Sequence, residues 1–183
     1  MQTVPEGTEG AKSRTNKTGK TVWELSYSGL KGIVTNLEIK DTDYGKQMEV
    51  SMVDGKEKYC LTIPVQSSFF SHFAGKVGNV NLDKLVEIKP FKLYSDQKNR
   101  DIAGLNFYQD GKVAWFISKE NQPKDYPEYP TGKGESEFKI WQIKKSEWEI
   151  NYIKTFKFEL TADEVSEELG KAFAEKGDDE VPF

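Results

Sequence analysis

Apolar and polar residues alternate along the middle of the chain with the period of two that half-buried β-strands show. The apolar members of two such runs, residues 46–53 and 58–63, are Met48, Val50, Met52, Tyr59, Leu61 and Ile63. Asp54-Gly55 lies between the runs, and this dipeptide is typical of a tight hairpin turn. The pattern therefore predicts two antiparallel strands joined by a hairpin.

A longer apolar stretch precedes these runs, from Trp23 to Lys40, with Gly29 and Gly32 inside it. Two glycines within one strand are typical of a bend or bulge, as where a strand curls around a barrel. Residues 41–45 (Asp-Thr-Asp-Tyr-Gly) have the composition of a turn. We therefore predict a three-stranded meander whose first strand is bent.

A short helix and further strands are predicted after the meander. Residues 67–74 place three phenylalanines on one side of a helical turn, and residues 85–94 form a fourth strand. Residues 103–108 and 112–118 flank Asp110-Gly111, a second hairpin signal. Three meander strands, a helix and then further strands is the order of the OB fold, a five-stranded barrel. We predict a mainly β protein of this fold.

The predicted organisation has four parts. Residues 1–20 are rich in Gly, Ser, Thr and Lys and predict a disordered basic arm, and residues 21–160 form the OB-fold domain with extensions. Within the latter, residues 138–160 fit a helix followed by a strand, with Ser146 and Glu149 resembling a capping box. Residues 161–176 predict a short amphipathic helix, opened by a second capping box at Thr161 and Glu164. Residues 177–183 predict a disordered acidic tip.

Composition narrows the classes of function. The 183 residues include 13% aromatic side chains, which favours strands. Cys60 and His72 are the only cysteine and histidine, so neither an internal disulfide nor a Cys/His zinc site can form, and a reducing compartment such as the cytoplasm is expected. His72 itself is expected to be an ordinary surface or capping histidine. No apolar run approaches the length of a membrane span.

The charge of the chain is divided unevenly. Residues 163–183 carry eight acidic side chains and two lysines, which leaves 22 acidic and 24 basic side chains in residues 1–162. A slightly basic body with a strongly acidic end fits a nucleic-acid-binding protein better than the net charge of the whole chain suggests. The chain lacks the common hydrolase, metalloprotease and phosphate-loop motifs, so we expect no enzymatic activity and no cofactor.

Binding to a single strand requires cations for the phosphates and flat rings for the bases. The period of two assigns outward positions on the strands, and the two loops that flank an OB groove supply further candidates. Stretch 89–94 (Lys-Pro-Phe-Lys-Leu-Tyr) mixes cations and rings most densely. For Trp115, a core position is an equal alternative. The candidate DNA-binding residues are Tyr44, Lys46, Lys58, Lys89, Phe91, Lys92, Tyr94, Lys98, Arg100, Tyr108 and Trp115.

The last residues have the features of a recognition peptide: acids, a Val-Pro pair and a terminal Phe that no packed core requires. The candidate partner-binding residues are Asp178, Asp179, Glu180, Val181, Pro182 and Phe183. This ending resembles the acidic tip of bacterial and phage single-stranded DNA-binding proteins. The resemblance is to the phage type, because no long Gly/Gln-rich linker precedes the tip.

The resemblance implies sequence-independent protection of single-stranded DNA in replication, recombination and repair. It also implies a tip that recruits partner proteins, and a place in the host cytoplasm if a phage encodes the chain. The expected partners are therefore single-stranded DNA and replication or recombination proteins, with no membrane, and homo-oligomer formation stays an option. Two alternatives stay open: an OB-like adaptor or virion protein-binding module without nucleic-acid activity, and a magnesium-dependent carboxylate nuclease.

Overall fold

The computed structural model describes residues 2–16, 18–118, 120–132, 134–158 and 161–167. It divides the chain into two compact units, residues 1–30 and residues 31–183. Both described sheets are antiparallel, and the prediction of a mainly β protein is confirmed. The six residues of the acidic tip that we proposed for partner binding lie outside the described residues.

The first unit is a three-stranded sheet in the order β1-β3-β2. Its strands are β1 (Gln2–Val4), β2 (Lys12–Thr15) and β3 (Thr21–Leu25). The Asn16 Oδ1 atom accepts hydrogen bonds from the backbone N–H groups of Thr18 (3.0 Å) and Lys20 (2.9 Å), which closes the turn between β2 and β3. Arg14 forms two 2.8 Å hydrogen bonds with Glu24 across this pair. The described residues of this segment, 2–16 and 18–20, thus differ from the expected disordered arm, because these local side-chain bonds support a small sheet.

The second unit contains a five-stranded sheet in the order β6-β5-β4-β7-β8. The strands are β4 (Leu30–Thr42), β5 (Gly45–Asp54), β6 (Glu57–Pro64), β7 (Val86–Ser95) and β8 (Arg100–Tyr108). The stretch from Trp23 to Lys40 is therefore two strands in two different sheets, which corrects the prediction of one bent strand. The irregularity in β4 lies between Val34 and Asn36, after Gly32, whose missing side chain leaves room for the β5 backbone.

A ten-residue helix, α1 (Ser68–Val77), joins β6 to β7. Ser67 caps it by accepting a hydrogen bond from the Phe70 N–H at 3.3 Å. Phe70, Phe73, Ala74 and Val77 are fully buried, and Phe73 meets Phe107 of β8 edge to face at 5.1 Å. The order of three meander strands, a helix and then further strands is therefore confirmed, but the second hairpin pairs β7 with β8 and is not the one predicted around Asp110-Gly111. Among the described residues, β6 and β8 remain the two edges of the sheet, so the predicted closure into a barrel is not seen.

The chain leaves the sheet after β8 instead of forming the strand predicted over residues 112–118. Only Lys112 pairs back, through a single bridge to Tyr108. Beyond it, the N–H groups of Phe116 and Ile117 donate to the Gly75 carbonyl of α1 at 2.8 and 3.1 Å. The segment is drawn off the sheet because these N–H groups and the adjacent rings pack on the helix.

The second long helix is α2 (Glu135–Ile153). The helix predicted within residues 138–160 is confirmed, but it begins eleven residues before Ser146, so Ser146 and Glu149 do not cap it. Residues 156–158 are not a strand. Residues 162–167, the last ones described, are helical, with reciprocal hydrogen bonds between Thr161 and Glu164 at 2.7 and 3.3 Å. The second predicted capping box is therefore confirmed.

A buried ionic cluster joins α1 to α2. Glu149 is 2% exposed and accepts hydrogen bonds from Lys145 (2.6 Å) and from Ser71 of α1 (3.2 Å). Burial raises the pKa of Glu149 above its ordinary value, although Lys145 and Ser71 act in the opposite direction. Ionising the Glu149 carboxyl group therefore lowers the stability of the folded state.

We expect the substitution Glu149→Gln to reveal this cost through pH. A carboxyl group with a raised folded pKa binds its proton more tightly in the folded state, so its contribution to stability is lost as pH rises through the folded pKa. Urea unfolding of wild type and Glu149→Gln should show the difference shifting in favour of wild type as pH falls from 7 towards 4.5. Glu147→Gln, an exposed change on the same helix, is the control and should give no such shift. A shift in the opposite direction would contradict the assignment.

Candidate nucleic-acid interface

The β7–β8 hairpin carries most of the predicted DNA-binding residues. Residues directly opposite in an antiparallel pair share a face, and here Lys89 lies opposite Asn106 and Phe91 opposite Gly104. Tyr108 and Arg100 lie on this same face, opposite Glu87 and Ser95. Lys92 and Tyr94 lie on the other face, beyond the core. We call the six predicted residues of this hairpin the hairpin surface: Lys89, Phe91, Lys92, Tyr94, Arg100 and Tyr108.

The rings of the hairpin surface differ in exposure. Tyr94 is 56% exposed, and its hydroxyl donates to Asn99 of the hairpin turn. Phe91 is half-buried, and Tyr108 lies under the Lys89 amine, which is 5.3 Å from the ring centroid. Tyr94 is therefore the ring on this surface that is most open to a base.

The remaining predicted residues lie elsewhere on the second unit. Tyr44, in the turn between β4 and β5, is 92% exposed, and Lys46 follows it in β5. Lys58 lies on β6, at the far edge of the sheet from the hairpin. The Lys98 side chain lies outside the part of the chain that the structure describes. The structure therefore places six of the eleven residues on one hairpin, four on one face and two on the other, with Trp115 beside Phe91.

Four of the predicted lysines already have a carboxylate partner. Lys46 pairs with Asp41 and Lys92 with Asp101, both at 2.7 Å, and Lys89 pairs with Glu87 at 2.9 Å. Lys58 pairs with Asp163 of the helical segment. Arg100 is exposed and forms no ion pair with the described residues. Exposed ion pairs of this kind contribute only about 0–1 kcal/mol, so a phosphate can replace the carboxylate at little cost.

Beside the hairpin surface lies a cavity of about 430 Å³, which we call the ring pocket. It lies between α1, the two strands of the β7–β8 hairpin and the segment that follows β8. Its lining residues are His72, Lys76, Phe91, Asn106, Lys112, Val113, Ala114 and Trp115. Phe91 therefore belongs to both the hairpin surface and the pocket wall.

Lys76 is the centre of this pocket. It is 3% exposed, and its amine donates to the Leu105 carbonyl (2.7 Å) and to Asn106 Oδ1 (3.1 Å) of β8. It also lies 4.8 Å from the centroid of the Trp115 ring. Burial lowers the pKa of Lys76 below its ordinary value, and the charge of Lys112 adds to this effect.

Trp115 is packed against α1 and is also 44% exposed, so the core and surface alternatives are each partly met. Its ring lies on Gly75, where a Cβ atom would come within 2.5 Å of it. One edge of the indole is thus fixed by the helix, and the rest is open to the pocket.

The position of His72 corrects the expectation of an ordinary surface or capping histidine. Its half-buried ring packs against Phe91 (5.4 Å) and Trp115 (4.8 Å), directly over Gly104, which has no side chain to obstruct it. Burial lowers the pKa of His72, and the charge of Lys76 lowers it further, so the ring is neutral near pH 7. Its Nδ1 atom is buried at the side of the ring that lies over Gly104.

Sequence reasoning missed Lys76 and Asn106 and gave His72 no role in a site. The available signal was weak: Lys76 lies one turn after His72 on a helix whose neighbouring positions are apolar. A lysine in that position is usually solvated at the rim of a core. Only the β8 edge beside the helix supplies the carbonyl and amide that allow this lysine to be buried.

A second exposed apolar surface lies on α2. Trp141 donates from Nε1 to the Pro127 carbonyl at 3.1 Å and packs against Tyr129 and Phe138. On the outer side of the helix, Ile140 and Ile143 are 53% and 59% exposed. An exposed apolar patch on a helix can serve as a contact surface for another protein.

In the part of the chain that the structure describes, no helix is long and apolar enough to cross a membrane. Those same residues contain no cluster of three or more His, Cys, Asp or Glu side chains that could hold a metal ion. Comparisons of the chain with models of protein families, with curated proteins and with solved structures find no match.

We expect Lys76→Met to destabilise the fold by roughly 1–3 kcal/mol, because the Leu105 carbonyl and the Asn106 amide oxygen lose their buried donor. Chemical denaturation followed by circular dichroism measures this. Lys112→Met is the matched control: the same change at an exposed position of the same pocket should stay within about 0.5 kcal/mol of wild type. Equal effects of the two changes would show that the Lys76 amine does not anchor α1 to β8.

Proposed function

We propose that this protein binds single-stranded DNA without strong sequence preference and uses its acidic tip to recruit other replication or recombination proteins. The observation that carries the proposal is the hairpin surface, where two paired strands carry three rings and three cations: Lys89, Phe91, Arg100 and Tyr108 on one face, and Lys92 and Tyr94 on the other. Stacking needs only a flat face and phosphate binding needs only a cation, so such a surface accepts any sequence.

The existing ion pairs allow a phosphate to replace the carboxylate partner of each lysine. Lys89 and Lys92 are 43% and 70% exposed at the side chain, and each faces one carboxylate. A phosphate that replaces Glu87 or Asp101 keeps the lysine paired while the DNA releases its counterions. Affinity should therefore depend on salt, and Arg100 supplies a cation that needs no exchange.

The strand order β6-β5-β4-β7-β8 is the order of an OB barrel opened between its third and fifth strands, and the OB assignment is part of this proposal. In that fold the second and third strands and two loops bind the nucleic acid. The corresponding loops here carry Tyr44 and the residues beside Tyr94, and the third strand carries Lys58. Tyr44, Lys46 and Lys58 would then extend the path of the hairpin surface.

The helical segment that precedes the tip supports a competition between the acidic end and the DNA for the same surface. Asp163 pairs with Lys58, and Ser166 donates to the Gly55 carbonyl at 2.9 Å. These contacts hold the helical segment on the β5–β6 hairpin, with Val165 buried at 6% exposure. The acids that follow thus start from a surface that the proposal assigns to DNA, and bound phosphates would displace Asp163.

A protein-binding module is the second candidate function, and the surface of α2 is the observation that favours it. Ile140 and Ile143 are exposed on a helix whose opposite side is packed with aromatic rings. A partner could cover these isoleucines in an adaptor or virion component. If no oligonucleotide binds, this candidate replaces the first.

The DNA proposal is tested by fluorescence anisotropy with labelled single-stranded and duplex oligonucleotides at several salt concentrations. We expect preference for the single strand and an affinity that falls steeply with salt. Tyr94→Ala should weaken binding by roughly 1–3 kcal/mol, the contribution of one stacked base. Tyr129→Ala, which removes a similarly exposed ring near α2, should have no effect. Equal effects of the two changes would contradict the hairpin surface as the binding site. Equal binding of duplex would contradict the preference for the single strand.

The role of the tip is tested by removing residues 177–183. Because the acids compete with phosphates, we expect DNA affinity to stay equal or to rise, most clearly at low salt. Pull-down of replication proteins by DNA-bound protein should require Phe183, so Phe183→Ala should abolish it and leave DNA binding unchanged. Loss of DNA binding on truncation would refute the competing role.

A further inference from the structure

The ring pocket has the size and the walls of a site for one planar ligand. Its volume of about 430 Å³ lies in the range of small-molecule sites, roughly 300–1,000 Å³. Two of its walls are the rings of Phe91 and Trp115, and each of them contacts the His72 ring. Because the Trp115 indole is half-exposed, the pocket is open to solvent beside the hairpin surface.

The polar groups of the pocket are mostly donors. Lys76 holds the Asn106 amide by its oxygen, which leaves the NH₂ group as the part that can serve a ligand. Among the described residues this NH₂ group has no acceptor. Lys112 adds a further donor at the exposed side, and no carboxylate lines the pocket.

His72 forms a fixed wall of the pocket. Its imidazole packs against Phe91 and Trp115, and its Nδ1 atom is buried at the side of the ring that lies over Gly104. The Asn106 NH₂ group is therefore the directional hydrogen-bond donor that the pocket can offer to a ligand.

We propose that the ring pocket takes one base of the bound strand and prefers a keto base, thymine, uracil or guanine, over an amino base. The base would lie against Phe91 and Trp115, with its carbonyl oxygen accepting from the Asn106 NH₂ group and its phosphate near Lys112. An amino base that entered in the same orientation would place its exocyclic donor opposite the Asn106 donor, leaving both groups unpaired. This inference rests on the proposed DNA binding and adds one selective position to a tolerant surface.

Homopolymers of deoxyuridine and deoxycytidine provide the matched ligands, because the two bases differ in the keto or amino group at position 4. With polymers of 30 nucleotides, we expect wild type to bind the deoxyuridine polymer about tenfold more tightly than the deoxycytidine polymer. Asn106→Asp keeps an oxygen for Lys76 but replaces the donor with an acceptor. In this variant the ratio of the two affinities should reverse.

The control is Asn36→Asp, which adds the same charge at an exposed position of β4 and should leave the wild-type ratio unchanged. A wild-type ratio near one overturns the inference even if Asn106→Asp fails to fold, and so does an unchanged ratio in a folded Asn106→Asp. In both cases the proposed DNA binding stands, because both polymers still bind. Failure of wild type to bind either polymer refutes the proposed function, and the inference with it.

Discussion

The candidate site depends on how the Lys76 amine is buried. An amine inside a fold must find acceptors, and the nearest ones here are the Leu105 carbonyl and the Asn106 side chain on the edge strand β8. Meeting this requirement ties α1 to β8 at one position along the strand. The same contact orients the Asn106 amide and places a cation beside the Trp115 ring. One buried group thereby determines the helix position and the chemistry of the pocket.

The helix α1 therefore has two roles that follow from its two sides. Phe70, Phe73 and Val77 fill the core, while His72 and Lys76 cross the edge of β8 and face the pocket. Because the core side is closely packed, the pocket side cannot move independently. A rigid wall of this kind is what a binding site needs to select a ligand by hydrogen-bond geometry.

The electrostatics of the described body follow from local pairs rather than from a single basic patch. Most lysines near the proposed DNA path are paired with a carboxylate on the same or the adjacent strand, which keeps the surface close to neutral until an anion arrives. Asp163 extends this arrangement to the segment that leads to the acidic tip. DNA and acidic segments can then exchange on the same lysines, since exposed pairs are individually weak.

The sequence by itself determined the local features: the alternation over residues 46–63, the position of α1 and the capping box at Thr161 depend on near neighbours. It also placed Lys89, Phe91 and Tyr108 on one face, because alternation along a strand follows from backbone geometry. Tertiary structure alone decided that β3 and β4 belong to different sheets, that residues 113–118 leave the sheet for α1, and that Lys76, His72 and Asn106 meet. These outcomes depend on which distant surfaces compete for the same backbone and side-chain groups, and a period along the chain carries no information about that competition.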